Sequence, residues 1–190
     1  MSRDALTIWC NARFPDAAQQ QLLRGASPHK IIFARKLEAS NLAAGAPDPD
    51  LAAADVAFGQ PDVQAVISLP QLRWVHLTTA GYERFDNAEL RAALHKRGAI
   101  LTTTSSVYAE PCAQHCLAMM LSLARGLPMA CDNQRTARGW PSREIRGRSL
   151  LLRKQNVLML GFGAIGRRLA ELLNPFGVYI TAVRRTVTGF

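Results

Sequence analysis

The chain has 190 residues, of which 48% are apolar and 19% charged, a balance that excludes a disordered chain and a length that excludes a large multidomain assembly. Lys and Arg outnumber Asp and Glu by 23 to 14, and the whole excess falls between Arg135 and Arg185. A basic field of that kind gathers anions, whether nucleic acid, an acidic membrane surface or a phosphorylated cofactor, and composition does not choose among them.

The first hundred residues alternate short β-like runs with helical ones, the pattern of an α/β domain with a parallel sheet. A first strand is predicted over 6–10, a helix opened by Pro15 over 15–24, and a second strand over 30–34. Residues 39–50, rich in Ala, Pro and Asp, read as a helix end and a loop. A third strand follows at 55–59, a short helix at 62–69, and a fourth strand at 72–77 that runs into Thr78, Thr79, Ala80 and Gly81. A helix over 87–97 is ended by Gly98, and a fifth strand covers 99–103.

Pro111 near a helix start and Pro128 after Gly126 bracket a helix of about 17 residues. Ala113, Cys116, Leu117, Met120, Leu121, Ala124 and Leu127 recur on it at three- and four-residue intervals, a broad apolar face expected to be buried between two layers. Residues 129–149 are polar, Arg-rich and broken by Gly139, Pro141 and Gly147, which predicts an excursion with a short helix. The run NVLML at 156–160 reads as a strand buried on both faces. A helix over 167–176 and a strand over 178–183 follow.

Four cysteines without a CxxC pair predict free thiols. Cys112 and Cys116 would share a helix face beside His115, but two thiolates without a fourth ligand fall short of a zinc site, so no metal is expected. No apolar stretch reaches the roughly 18 to 20 residues of a membrane span, and the N-terminal apolar run is too short for a signal peptide. The expected location is cytoplasmic. No zinc-finger spacing, aromatic RNA-binding motif or Lys-rich tail accompanies the basic field, so neither a nucleic-acid nor a membrane partner is expected.

Directly after the 156–160 strand stand Gly161, Phe162, Gly163, Ala164, Ile165 and Gly166, a GxGxxG run placed between a strand and a helix. In that context Gly161 permits a tight turn, Gly163 lets a pyrophosphate approach bare backbone, and Gly166 lets the helix pack on the strand. Helix N-terminal amides then face the anion. The alternative is a glycine run that serves only as a turn. After the second strand, where an acid would bind the adenosine ribose, the chain has Arg184, Arg185 and Thr186. Guanidinium groups there hold a 2′-phosphate that a carboxylate would repel, predicting NADP(H) over NAD(H), unless both arginines are merely surface residues.

With these motifs the chain resembles the D-isomer-specific 2-hydroxyacid dehydrogenase family, through LRWVHLTTAGYERFD at 72–86, ILTTTSSVYAEPCAQHCLAMMLSLAR at 100–125 and LLLRKQNVLMLGFGAIGRRLAELLNPFGVYITAVRRT at 150–186. Within it the Arg-Arg-Thr is most similar to the NADPH-linked glyoxylate and hydroxypyruvate reductases. The resemblance implies a flavodoxin-like domain over 1–103, lacking a C-terminal tail, and over 104–190 an interdomain helix and the start of a Rossmann NAD(P)-binding domain. It implies that Thr79, Ala80, Gly81 and Tyr82 offer amides to the carboxylate of a small 2-oxo or 2-hydroxy acid, and that residues 104–108 line the nicotinamide end. It also implies homodimers of the complete protein. Family members usually carry an acid where Gln114 stands, and His115 is expected to be a packed helix residue. The family's catalytic Arg, Glu and His lie beyond the second strand of the cofactor domain. No catalytic residue is therefore assigned within these 190 residues, which are expected to be a fragment, inactive alone, with an unpaired strand and an uncovered helix face. The competing expectation is a non-catalytic dinucleotide-binding interaction module of the corepressor type.

Overall fold

Short strands that return in the same direction need a crossover each time, and helices supply it. In the computed structural model, which describes residues 5–38, 40 and 42–185, the strands β1 (Thr7–Ala12), β2 (Lys30–Glu38), β3 (Val56–Gly59), β4 (Trp74–Leu77) and β5 (Ile100–Thr103) form one parallel sheet. Its order, β2-β1-β3-β4-β5, is the flavodoxin-like order of an open doubly wound sheet. The chain divides into two units between Ser105 and Ser106, and this sheet belongs to the first.

One face of the sheet makes the core of the first unit. Trp9, Ala57 and Val75 lie in register across β1, β3 and β4, and with Leu77 they pack against Val66, Leu90 and Leu94. The last three lie on the helices α2 (Val63–Ser68) and α3 (Ala88–Arg97). Both helices start one residue later than the sequence suggests because Asp62 and Asn87 are caps, their carboxylate and carboxamide oxygens each accepting an amide hydrogen bond at 2.8 Å, from Ala65 and Leu90. Gly98, at φ 66°, closes α3 in the left-handed conformation. The stretch read as a loop before β3 contains a 3₁₀ turn, Pro49–Ala53, capped by Asp48, which drives Leu51 into the core. β2 runs to Glu38, four residues further than expected.

The opposite face carries an aromatic row. Phe14 stacks on Phe58 and Phe58 on His76, with ring centroids 5.9 and 5.3 Å apart. Thr102 bonds both the Trp74 indole N–H at 2.8 Å and His76 Nδ1 at 2.7 Å. Partial burial holds the His76 pKa below its usual value. The helix α1 (Asp16–Ala26) has no buried residue, and Trp74 and Ile100 remain exposed.

The second unit is built on two parallel strands, β6 (Asn156–Leu160) and β7 (Tyr179–Val183), paired residue for residue from Asn156↔Tyr179 to Leu160↔Val183. Helices α4 (Ala109–Ala124), α5 (Leu127–Thr136), α6 (Ser142–Arg148) and α7 (Ala164–Leu173) accompany them. The expected apolar stripe is present on α4 from Ala113 to Ala124, and that helix packs on α7, but Leu127 falls on α5 and is exposed; only Ala113 is fully buried, so α4 is not enclosed between two layers. His115 is exposed rather than packed. Pro128 does not simply stop α4; Gly126, at φ 65°, turns the chain and Pro128 opens α5, where a missing N–H costs nothing. The Arg-rich excursion thus holds two helices instead of one.

β6 departs most from expectation. Met159 is buried, but Leu158 and Leu160 are 64% and 82% exposed, because no described element covers their side of the two-stranded sheet. An apolar run implies burial on both faces only where both faces are covered. Leu158, Leu160, Tyr179 and Val183 therefore form an open apolar surface, each leucine forgoing roughly 1.5 to 3 kcal/mol of burial. Sedimentation of this chain is expected to show concentration-dependent association that Leu158→Lys with Leu160→Lys suppresses; an unchanged profile would contradict the assignment. Cys10 is fully buried, and burial pushes its thiol up to about 11. A thiol-specific reagent near pH 8 is expected to label exposed Cys131 and leave Cys10 untouched until the chain unfolds.

Candidate functional site

The first candidate site grows from the end of β6. Gly161 sits at φ 99°, a backbone conformation costly for any residue with a Cβ, and its amide donates to the Val183 carbonyl at 2.8 Å. That bond holds the glycine turn against the carboxyl end of β7. Gly163 is the N-cap of α7, with no side-chain cap. A Cβ on Gly163 would meet nothing within 4 Å, so this stretch of main chain is open to solvent. A Cβ on Gly166 would instead lie 2.8 Å from the Gly161 carbonyl oxygen, so only glycine lets the first turn of α7 rest on the bend. The Arg167 amide is the first to bond back, to the Gly163 carbonyl at 3.0 Å. The amides of Ala164, Ile165 and Gly166 have no helical acceptor, as at any helix start. Phe162 Cδ2 would lie 3.5 Å from the same Gly166 Cβ.

Arg184 and Arg185 follow Val183 at once and are both exposed, so the same strand end carries the bond to Gly161 and two cations. Thr186 lies outside the described residues. Arg168, a further member of the basic field, is already committed: its Nε and Nη2 reach the two carboxylate oxygens of Glu110 and its Nη1 donates to Glu171 at 2.7 Å. The Arg168 guanidinium, and secondarily Gln114, hold the Glu110 carboxyl below the usual carboxylate range. Gln114 Nε2 donates to Glu110 Oε1 at 2.6 Å, a role that an ionised acid at this position could not fill. This ion-pair group ties α4 to α7 and so fixes the helix whose N-terminus faces the open glycine. Arg167 donates to the Phe162 carbonyl at 3.5 Å.

A second candidate lies in the first unit, at the carboxyl ends of β3 and β4. Thr79 is buried, and its hydroxyl donates to the Gly81 carbonyl at 2.7 Å while its own carbonyl accepts from the Thr104 amide at 3.1 Å. The amides of Ala80, Gly81 and Tyr82 have no hydrogen-bond partner among the described residues. Thr79, Gly81, Tyr82, Glu83 and Arg84 line a pocket of about 210 Å³. Behind it stands a buried polar group that the sequence reading passed over. The Asn11 carboxamide clamps the main chain of Gln60 from both sides, at 2.8 Å to its carbonyl and 2.8 Å from its amide, and the Gln60 side chain reaches Thr78 and Thr79. The one available signal was a polar residue, Asn11, closing an apolar strand. Among the described residues no histidine is bonded to a carboxylate, and no group of three or more His, Cys, Asp or Glu side chains could hold a metal ion. Among them, too, no helix is long and apolar enough to cross a membrane.

Residues 117–189 match the family model described as D-isomer specific 2-hydroxyacid dehydrogenase, NAD binding domain. Glyoxylate reductase of Thermococcus litoralis is 28% identical over 130 residues, covering 66% of this chain and 38% of that protein. D-3-phosphoglycerate dehydrogenase of Mycobacterium tuberculosis is 26% identical over 121 residues, covering 64% of this chain and 22% of that protein. Among solved structures, a phosphoglycerate oxidoreductase from Rhizobium etli superposes with a TM-score of 0.65 at 26% identity, over 94% of this chain and 55% of that one. The chain thus spans well under half the length of the curated relatives it matches and about half of the solved one. Fold, glycine turn and relatives point the same way: the chain is similar to D-isomer specific 2-hydroxyacid dehydrogenases, and the match to their NAD-binding domain covers residues 117–189.

Proposed function

We propose that this chain forms the dinucleotide-binding turn and the substrate-facing loop of an NAD(P)-linked oxidoreductase of the D-2-hydroxyacid type, one that passes hydride between NADPH and a small 2-oxo acid of the glyoxylate or hydroxypyruvate kind. The observation that carries the reading is the bond from the Gly161 amide to Val183, which puts bare backbone and two guanidinium groups at one strand end. The likeness of residues 117–189 to an NAD-binding domain supports it.

The residues present fit such a cofactor. Space is open where a Cβ of Gly163 would stand and absent where one of Gly166 would stand, the combination expected if a pyrophosphate occupies the first place and the helix the second. The nicotinamide cofactor, when bound, supplies the hydride. Gly163 and the first amides of α7 would hold its diphosphate, and Arg184 and Arg185 would grip a 2′-phosphate through charge-assisted hydrogen bonds. Thr79, Ala80, Gly81 and Tyr82 would orient the substrate by its carboxylate. Arg168 stays with Glu110 and Glu171 and serves the helix rather than the ligand.

Two measurements test the cofactor half of the reading. Titration calorimetry with this chain is expected to give tighter binding of NADPH than of NADH, and Arg184→Ala with Arg185→Ala to weaken NADPH by roughly 10- to 100-fold while leaving NADH nearly unchanged, as the loss of charge-assisted bonds worth about 1.5 to 3 kcal/mol requires. Equal affinities for the two coenzymes in the native chain would remove the proposed preference. Gly166→Ala is expected to lose both coenzymes, since its methyl must displace the Gly161 carbonyl, whereas Gly147→Ala, at a position with open space around it, is expected to bind both normally.

A further inference from the structure

We infer that Gln60 is a positioning residue that fixes which way the Thr79 hydroxyl points and thereby shapes the 79–82 loop for an anion. The inference rests on the loop's proposed role in holding a substrate carboxylate. It goes further by assigning the loop's geometry to a buried carboxamide outside it.

Gln60 is 2% exposed and is held with little freedom. Asn11 accepts from its amide and donates to its carbonyl, both at 2.8 Å. The surrounding main chain is equally tight: a Cβ on Gly59, at φ 137°, would fall 2.0 Å from Asn11 Oδ1, and one on Gly45 would fall 1.8 Å from the Gln60 carbonyl oxygen. The side chain has one orientation that satisfies its neighbours. Arg84 Nη2 lies 3.4 Å from Oε1, and a guanidinium can only donate, so the oxygen faces the cation and the NH2 faces the threonines. Nε2 then donates to Thr79 Oγ1 at 3.2 Å and to Thr78 Oγ1 at 3.4 Å.

The consequence is a relay with a direction. With its oxygen accepting from Gln60, the Thr79 hydroxyl turns its own proton onto the Gly81 carbonyl at 2.7 Å. The Gly81 carbonyl is pulled back, which leaves the unpaired amides of Ala80, Gly81 and Tyr82 as the groups the loop offers to a ligand. Glu83 lines the same pocket with a charge that opposes an anion, and Arg84 supplies the opposite charge beside it. Replacing the Gln60 NH2 by a carboxylate oxygen reverses the relay: the Thr79 proton turns toward residue 60 and the Gly81 carbonyl is released.

The test is a nitrogen-15 amide NMR titration of this chain with oxalate, a small dicarboxylate that resembles a 2-oxo acid. The native chain is expected to show shifts concentrated at Ala80, Gly81 and Tyr82. Gln60→Glu is expected to weaken oxalate about tenfold or more at neutral pH. It should regain affinity as the pH falls toward about 5, where the buried acid protonates and donates as the amide does. A purely structural role for Gln60 predicts no such recovery. Thr79→Val, which keeps the side-chain shape but removes the hydroxyl, is expected to lose oxalate to the same degree, and Thr79→Ser to keep it. Native-like affinity in Gln60→Glu or Thr79→Val, with the loop still responding, would overturn the role of Gln60 and leave the loop's role standing. No loop shift in the native chain would overturn both.

Discussion

The Gly161 amide donates to the Val183 carbonyl, and everything that recommends the second unit as a nucleotide site follows from that bond. It forces Gly161 into a backbone region closed to other residues, aims the chain into α7, and leaves Gly163 at the helix start with open space before it. It also brings the end of β7 alongside, so that Arg184 and Arg185 emerge next to the turn. Without side chains at 161, 163 and 166, two tasks with opposite steric demands coexist within six residues. One position stays open to solvent, and another closes on the protein's own carbonyl.

The first unit solves a related problem by different means. Its loop after β4 is shaped by side chains buried beneath it, with Asn11 and Gln60 placed at the ends of β1 and β3. Carboxamides suit this role because each presents a donor and an acceptor on one rigid group, so one residue can clamp a peptide from both sides while another sorts hydroxyl orientations. A buried polar cluster of this kind is stable only when its members are satisfied, and here Asn11, Gln60 and Thr79 supply one another's partners.

Much of this architecture is legible in the sequence because local chemistry announces it. Asp62 and Asn87 mark helix starts, Gly98 a helix end, and GxGxxG behind NVLML a strand, turn and helix. What was not legible depends on partners distant in sequence. Gln60, between a glycine and a proline, reads as loop, and only the fold brings it under Thr79. The stripe on α4 and the run in β6 signal apolar surface correctly but say nothing about how many faces are covered; Leu158 and Leu160 are exposed for that reason. His115, between exposed Gln114 and half-buried Cys116, points outward because the helix turns by about 100° per residue and the stripe does not include it.

The link between α4 and α7 has a consequence of its own. Arg168, Glu110 and Glu171 are all partly in contact with water, so added electrolyte weakens their attraction, with a Debye length of about 8 Å at physiological ionic strength and about 3 Å in molar brine. Concentrated salt therefore acts on the glycine turn twice, by masking the arginines that follow β7 and by slackening the brace that holds α7 in place.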